Sequence, residues 1–318
     1  MIISASRRTD IPAFHSDWFM RRIREEYFYR VNPFNSKQVT GFSLRPEHVD
    51  AIVFWTKNPG PLMAHLDELN ARGFFYYFQF TLNPYGSEYE PNVAVMAERI
   101  DTFKKLADRI GAERVIWRYD PVILSNITPV AWHLEQAERI ASRLESSTRR
   151  MMFSFYDFYG KGNGRLDAAL KGSGIILEDI TAAEKSCDLH ELVKGFGKIA
   201  ADFNLRIFSC SEEIDLTRFG IEHGSCIDGN LIEELSGSKP AAAKDKNQRK
   251  SCGCMESADM GMYNTCSFRC RYCYANFNEK MIDNNCRKHD SSSPSLLYRY
   301  PEKIRIRTSL HKKTPLIR

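Results

Sequence analysis

From residue 50 onward the chain alternates between short, almost continuously apolar runs and longer segments in which apolar residues recur every three or four positions. The runs are Ala51-Ile-Val-Phe-Trp55, Phe74-Phe-Tyr-Tyr-Phe-Gln-Phe80, Arg114-Val-Ile-Trp117, Met151-Met-Phe-Ser-Phe155 and Leu205-Arg-Ile-Phe208. They are rich in the β-branched and aromatic side chains that suit a pleated strand. The segments between them, at about 60–72, 92–110, 129–146 and 179–203, carry the helical period. Gly73 stops the first, and Thr128 with Pro129 has the cap-then-proline order that opens the third. Apolar strands separated by helices predict a parallel sheet covered on both faces.

Ahead of this alternation, Met1–Ser6 reads as a strand, about 16–26 as a helix with Trp18, Phe19 and Ile23 on one face, and Tyr27–Val31 with Val39–Leu44 as a hairpin turning through Asn32-Pro-Phe-Asn35. Behind it, about 228–235 predicts a short helix. Each strand runs into polar residues at its carboxyl end: Arg7, Arg8 and Asp10; Thr56, Lys57 and Asn58; Thr81 and Asn83; Arg118, Tyr119 and Asp120; Tyr156, Asp157 and Tyr159; Cys210, Glu212 and Glu213. One such end is an ordinary turn or cap. Six in succession predict an α/β fold of parallel (β/α) barrel type, partial and of about six strands, whose functional rim is built from those ends. Arg7, Arg8, Lys57 and Arg118 would there receive an anionic group.

The barrel is expected over 1–236. Residues 237–250 are basic, polar and turn-rich and read as a flexible linker, 251–286 as a cysteine-rich segment folding back onto the rim, and 287–318 as a basic tail of weak periodicity, partly disordered. Charge follows this division. The linker carries +4 and the tail +7, so the rest holds −6 of the chain's net +5, and basic runs outside a mildly acidic body are most often solvated faces. Apolar residues make up 43% of the 318. No run of 18 apolar residues and no secretory order at the start are found, so no membrane is expected and a cytoplasmic location is.

Nine cysteines, five of them between 252 and 273, fit reduced ligating thiols better than a disulfide framework. The sharpest signal in the chain is Cys266-Ser-Phe-Arg-Cys270-Arg-Tyr-Cys273, followed by Tyr274-Ala-Asn276. Three thiolates within eight residues can wrap one face of a cubane 4Fe-4S cluster and leave its fourth iron open for chemistry.

This spacing, with Tyr272 directly before the last cysteine, resembles the cluster motif of the radical S-adenosylmethionine superfamily. The phrases Asp259-Met-Gly-Met-Tyr-Asn-Thr-Cys266 and Phe54-Trp-Thr-Lys-Asn-Pro59 are similar to those of an uncharacterised family, domain of unknown function 1848, usually placed near the spore photoproduct lyases. The resemblance spans Ile3 to about Phe277. It implies a radical enzyme that binds S-adenosylmethionine on the open iron, with Tyr272 and Asn276 beside the cofactor, Lys57, Asn58, Arg118 and Asp120 gripping cofactor or substrate, and a flavodoxin or ferredoxin as electron donor. It departs from the superfamily in placing the motif near the carboxyl terminus rather than after the first strand, and no Gly-Gly-Glu-like segment follows.

Cys210, Cys226, Cys252 and Cys254 form a second set. Four thiolates close a cubane with no open iron, or hold a tetrahedral zinc, or are simply buried small residues. Cys187 and Cys286 are expected to be non-ligands. His15, His48, His65, His133, His190 and His223 lack ligand spacing, and Gly160-Lys-Gly-Asn-Gly164 lacks the Lys-Ser or Lys-Thr of a phosphate loop and reads as a loop above the rim. The alternative from another class is a metal-stapled nucleic-acid-binding protein in which Arg269, Arg271, Phe268, Tyr272 and Tyr274 meet bases or phosphates.

Overall fold

A computed structural model describes residues 1–33, 35–158, 163–298 and 305–310. It is organised on one eight-stranded sheet: β1 (Ile2–Ala5), β2 (Ala51–Thr56), β3 (Tyr76–Thr81), β4 (Val115–Val122), β5 (Arg150–Phe155), β6 (Arg206–Cys210), β7 (Glu222–Gly224) and β8 (Ser257–Asp259). The spatial order is β7-β6-β5-β4-β3-β2-β1-β8 and every pairing is parallel. The chain therefore steps outward in one direction from β1 to β7, then returns to lay β8 along the other side of β1. Among the described residues β7 and β8 do not pair, so the sheet does not close on itself.

The expectation of about six strands is corrected to eight. The two additions read Glu-His-Gly and Ser-Ala-Asp, too short and too polar to show an apolar run. The helix expected over 60–72 is two, Gly60–Met63 and Leu66–Ala71. Met96–Ile110, Val130–Arg143 and Ser186–Asp202 fall inside the other expected segments. Thr128 does not cap Val130–Arg143. Its hydroxyl donates to Ile123 O and Pro129 takes the cap position. The hairpin forms, Tyr27–Asn32 antiparallel to Asn35–Ser43.

Period-two alternation sends successive side chains to opposite faces. Ile3, Ile52, Phe54, Phe78, Phe80, Trp117, Phe153 and Ile207 bury one face under helices that contribute Trp18, Phe19, Phe103, Ile140 and Phe196. The other face gathers Ile2, Ala51, Val53, Tyr77, Ile116, Met152 and Phe208 against Cys226, Ile227, Leu231, Ile232, Cys252 and Cys254. That second face is apolar at the amino ends of the strands. The same alternation continued to the carboxyl ends supplies Ser4, Trp55, Gln79, Arg118, Asp120, Ser154 and Cys210, and this switch places the candidate site.

The basic stretch is tied to the body: Asp245 N donates to Cys254 O, Ala241 N to Asp50, and Arg249 pairs with Asp157. Part of the tail is packed as well. Leu296 and Leu297 join the core, Trp18 Nε1 donates to Ser293 O, and Ile306–Arg307 pairs with the hairpin. Tyr159, the loop residues 160–162 and most of the remaining tail lie outside the described residues. Among those described, no helix is long and apolar enough to cross a membrane.

Candidate metal centres at the carboxyl ends of the strands

The segment after β8 crosses the carboxyl ends of the strands, and its shape is set by polar anchors. Asn264, in the left-handed region at φ 54°, accepts from Phe277 N and Asn278 N through its side chain while its own N–H donates to Ala275 O. This closes the loop that carries Cys266, Cys270 and Cys273. The body grips the loop at several further points. Asn92 Nδ2 donates to Ser267 O, Arg165 Nη1 to Cys270 O, Arg271 N to Tyr89 O, and Tyr274 OH to Arg7 O. Asn276 is buried, and its amide donates to Cys266 O at 2.6 Å. Its Oδ1 has no hydrogen-bond partner among the described residues.

The three thiols of the motif lie within electrostatic reach of one another and of Asp10, Lys57 and Glu90, residues that follow β1, β2 and β3. Burial pushes all three thiols up, Cys270 to about 12, and the neighbouring thiols raise Cys266 and Cys270 further. They are thus neutral in the metal-free protein, and a metal binding there must expel their protons. Beneath them sits a buried charged network. Glu90 accepts from Lys57 Nζ at 2.7 Å, from Asn83 Nδ2 at 3.2 Å and from Tyr272 OH, and Arg99 Nη1 stands 3.5 Å from its other oxygen. Lys57 N donates to Asp10 Oδ2 at 2.7 Å. Burial lifts the Asp10 carboxyl to about 7 against these hydrogen bonds.

The second set of cysteines gathers on the second face. Cys210 at the end of β6 and Cys226 after β7 have sulfurs 3.0 Å apart. Cys254 and Cys252 lie within electrostatic reach of Cys226. Arg118 Nη1 donates to Cys226 Sγ at 2.8 Å while its other nitrogen pairs with Asp120, which also accepts from Ser154. Burial opposes ionisation of Asp120, but Arg118 and Ser154 hold its carboxyl below the usual range. Tyr77 OH and Gln79 Nε2 both donate to Cys226 O, seating the loop after β7 across β3. Among the described residues no group of three or more His, Cys, Asp or Glu is arranged around a single-ion position. A multi-iron cluster takes each sulfur on a different iron and so asks for a wider spread of thiols than one ion does.

Of the residues singled out from sequence, Cys266, Cys270, Cys273, Tyr272, Asn276 and Lys57 are together at the strand ends. Arg118 and Asp120 lie deeper, beside the second set. Asn58 is exposed, and its side chain accepts from Gly60 N as a turn residue. Cys187 is exposed, and Cys286 lies near Thr265 O and Ser267. Arg269 pairs with Glu279 and Asp283, Arg271 donates to Ala169 O, and Phe268 packs edge-on against Phe14. Sequence reasoning set Asn83 on the rim without a partner, quoted Asp259 without a role, and missed Glu90. Glu90 and Asp259 stand in polar loop-like stretches with no periodic signal, and only the fold shows that they are enclosed.

This arrangement, a parallel sheet carrying three neighbouring cysteines over its carboxyl ends, defines the class as an α/β protein with a cysteine-rich cap. A model of the family "Domain of unknown function (DUF1848)" matches residues 2–275, and the chain belongs to that family. No curated protein matches it. Among solved structures, a candidate alpha-L-fucosidase from Bacteroides thetaiotaomicron VPI-5482 is similar over 76% of this chain and 86% of its own, at 11% identity and a TM-score of 0.25.

Proposed function

We propose that the chain is an iron–sulfur enzyme of radical S-adenosylmethionine type, with Cys266, Cys270 and Cys273 holding a 4Fe-4S cluster. Bound to S-adenosylmethionine and reduced, that cluster supplies a deoxyadenosyl radical. The observation that carries the reading is the proximity of three thiols over the carboxyl ends of a parallel sheet, where such sheets place their chemistry. The sequential strand order, with β8 returning beside β1, is that of a partial (β/α) barrel. The same order accounts for the late position of the motif. The motif follows β8 and is succeeded by a helix, Glu279–Lys288, so a strand, three cysteines and a helix adjoin β1 as they would had the chain been cut elsewhere.

In this reading the protein's own groups bind and orient. The Asn276 amide fixes the Cys266 carbonyl, and its unpartnered Oδ1 is an acceptor for the cofactor. Lys57 and Glu90 hold Tyr272 under the loop. Asp120, deeper in beside Arg118 and with about a fifth of its side chain exposed, is a further acceptor for the substrate. An electron donor such as a flavodoxin or ferredoxin and a reducing, cytoplasmic setting complete the proposal.

Anaerobic purification followed by iron, sulfide and deoxyadenosine assays tests it. Iron-bearing protein that releases deoxyadenosine under strong reductant is the expected result, with release abolished in Cys270→Ala. Colourless protein holding stoichiometric zinc and no iron overturns it.

A further inference from the structure

Cys210 and Cys226 stand closer together than either metal binding or plain packing requires. Both are free thiols, and their sulfurs are 3.0 Å apart. Two thiolates on one tetrahedral zinc stand about 3.8 Å apart and those on separate irons of a cluster farther still, while non-bonded heavy atoms settle at about 3.5–4.0 Å. The second set of cysteines therefore does not fit the metal or cluster that its number suggests, and among the described residues no three possible ligands surround a metal position. The close approach is built into the backbone. β6 and β7 run parallel with Cys210 beside Gly224, which sets Cys226 just beyond the last pair. A Cβ on Gly224 would stand 2.7 Å from Phe208 Cβ, so glycine lets the two strands close in. Tyr77 OH and Gln79 Nε2 then fix the loop after β7 by donating to Cys226 O at 2.8 Å and 2.9 Å.

The two sulfurs are not equivalent. Arg118 Nη1 donates to Cys226 Sγ at 2.8 Å, so negative charge is better supported there than on Cys210. The hydrogen bond from Cys210 favours ionisation of Cys226 as well, but Cys254 and burial outweigh both and leave it at about 11. The pair is thus neutral at rest and stays reduced until an oxidant is supplied. Cys226 is buried, whereas Cys210 is only partly so, which gives a water-sized oxidant a way in.

We propose that Cys210 and Cys226 are a redox modification site, a dithiol that closes reversibly to a disulfide when hydrogen peroxide reaches it. The Cys226 sulfur attacks the peroxide and the O–O bond breaks. One oxygen stays on that sulfur as a sulfenic acid, and the other leaves as water with the thiol proton. The Cys210 sulfur then attacks the Cys226 sulfur, the S–O bond breaks as the S–S bond forms, and the departing hydroxide takes the Cys210 proton as a second water. The electrons lost by the two thiols are those gained by the peroxide. A disulfide bond is about 2.0 Å long, so the sulfurs need to close by only about 1 Å. The link ties the end of β6 to the loop after β7, beside Arg118 and Asp120. In a reducing compartment such a bond is transient and reports on oxidant.

The test holds the full wild-type chain under argon, titrates it with hydrogen peroxide, alkylates the remaining thiols and maps the peptides without reduction. A linked pair carrying Cys210 and Cys226 is expected, with about one peroxide consumed per bond, and dithiothreitol is expected to return both residues to alkylatable thiols. The map reads these two residues alone, so its outcome does not depend on whether Cys266, Cys270 and Cys273 hold iron. Cys210→Ser is expected to leave a sulfenic acid on Cys226 that dimedone captures. Arg118→Gln is expected to slow closure about tenfold, the worth of one charge-assisted hydrogen bond. Both cysteines still alkylatable after peroxide, a link to Cys252 or Cys254 in place of this one, or a bond that thiol does not reverse overturns the site. An unchanged rate in Arg118→Gln overturns the part given to Arg118.

Discussion

Glu90 is the residue on which the buried charges at the strand ends converge. Lys57 and Arg99 have no other carboxylate partner among the described ion pairs. Glu90→Gln leaves two cations in a desolvated site and is expected to cost about 3–5 kcal/mol of stability, seen as a lower urea midpoint. Lys57→Met combined with Glu90→Gln should lose less than the two single changes added together, since the pair is removed as a unit. His133 provides a cleaner pH effect, remote from any thiol. It is fully buried, with Tyr119 OH 2.8 Å from one ring nitrogen and Ile123 O 3.0 Å from the other, and Tyr85 and Trp132 against its faces. Burial lowers its pKa from 6.5 to about 4. Between those values the unfolded chain binds the proton and the folded one does not, so stability is full above about pH 6.5 and falls as pH drops toward 4. The fall amounts to about 3 kcal/mol. Urea titrations at about pH 7 and about pH 5 should register about 2 kcal/mol of it, and His133→Gln should flatten that part of the profile.

At the level of elements, one carboxylate reinforces the ladder between β8 and β1. Asp259 accepts from Ser4 Oγ at 2.8 Å, Ser6 Oγ at 2.7 Å, Arg7 N at 3.1 Å and Gly261 N at 2.8 Å. A Cβ on Gly261 would meet Ser6 Cβ at 2.7 Å and disturb this set. Gly261→Ala is accordingly expected to destabilise the protein by about 1–3 kcal/mol, with hydrogen exchange accelerating first at β1 and β8. The legibility of the sequence divides along the same line. β2 to β6 and the long helices were readable because their periods are regular and their strands apolar throughout. β7 and β8 were not, because three-residue strands of Glu-His-Gly and Ser-Ala-Asp become strands only through their neighbours. The three-cysteine loop was readable from spacing alone, whereas its seat on Asp10, Lys57, Asn83 and Glu90 depends on residues 83 and 90 reaching back under the motif, a contact no local pattern encodes.

For the molecule as a whole, the carboxyl-terminal third is part of the core. Cys252, Cys254, Ala258, Met260, Met262, Leu296 and Leu297 are all buried in it. A chain ending at 250 is expected to lose its cooperative unfolding transition and bind hydrophobic dyes, whereas a dispensable appendage would leave the transition intact. The winding of the sheet also means that β1 lies between β2 and β8, whose sequence positions are about 200 residues apart. During synthesis at roughly 5–20 residues per second, β1 leaves the ribosome on the order of 10–50 s before β8. Over that interval one side of Ile2–Ala5 is a bare hydrogen-bonding edge, the kind that recruits neighbouring nascent chains. Holding chaperones that shield this edge should therefore raise the yield of this protein more than any change at its surface.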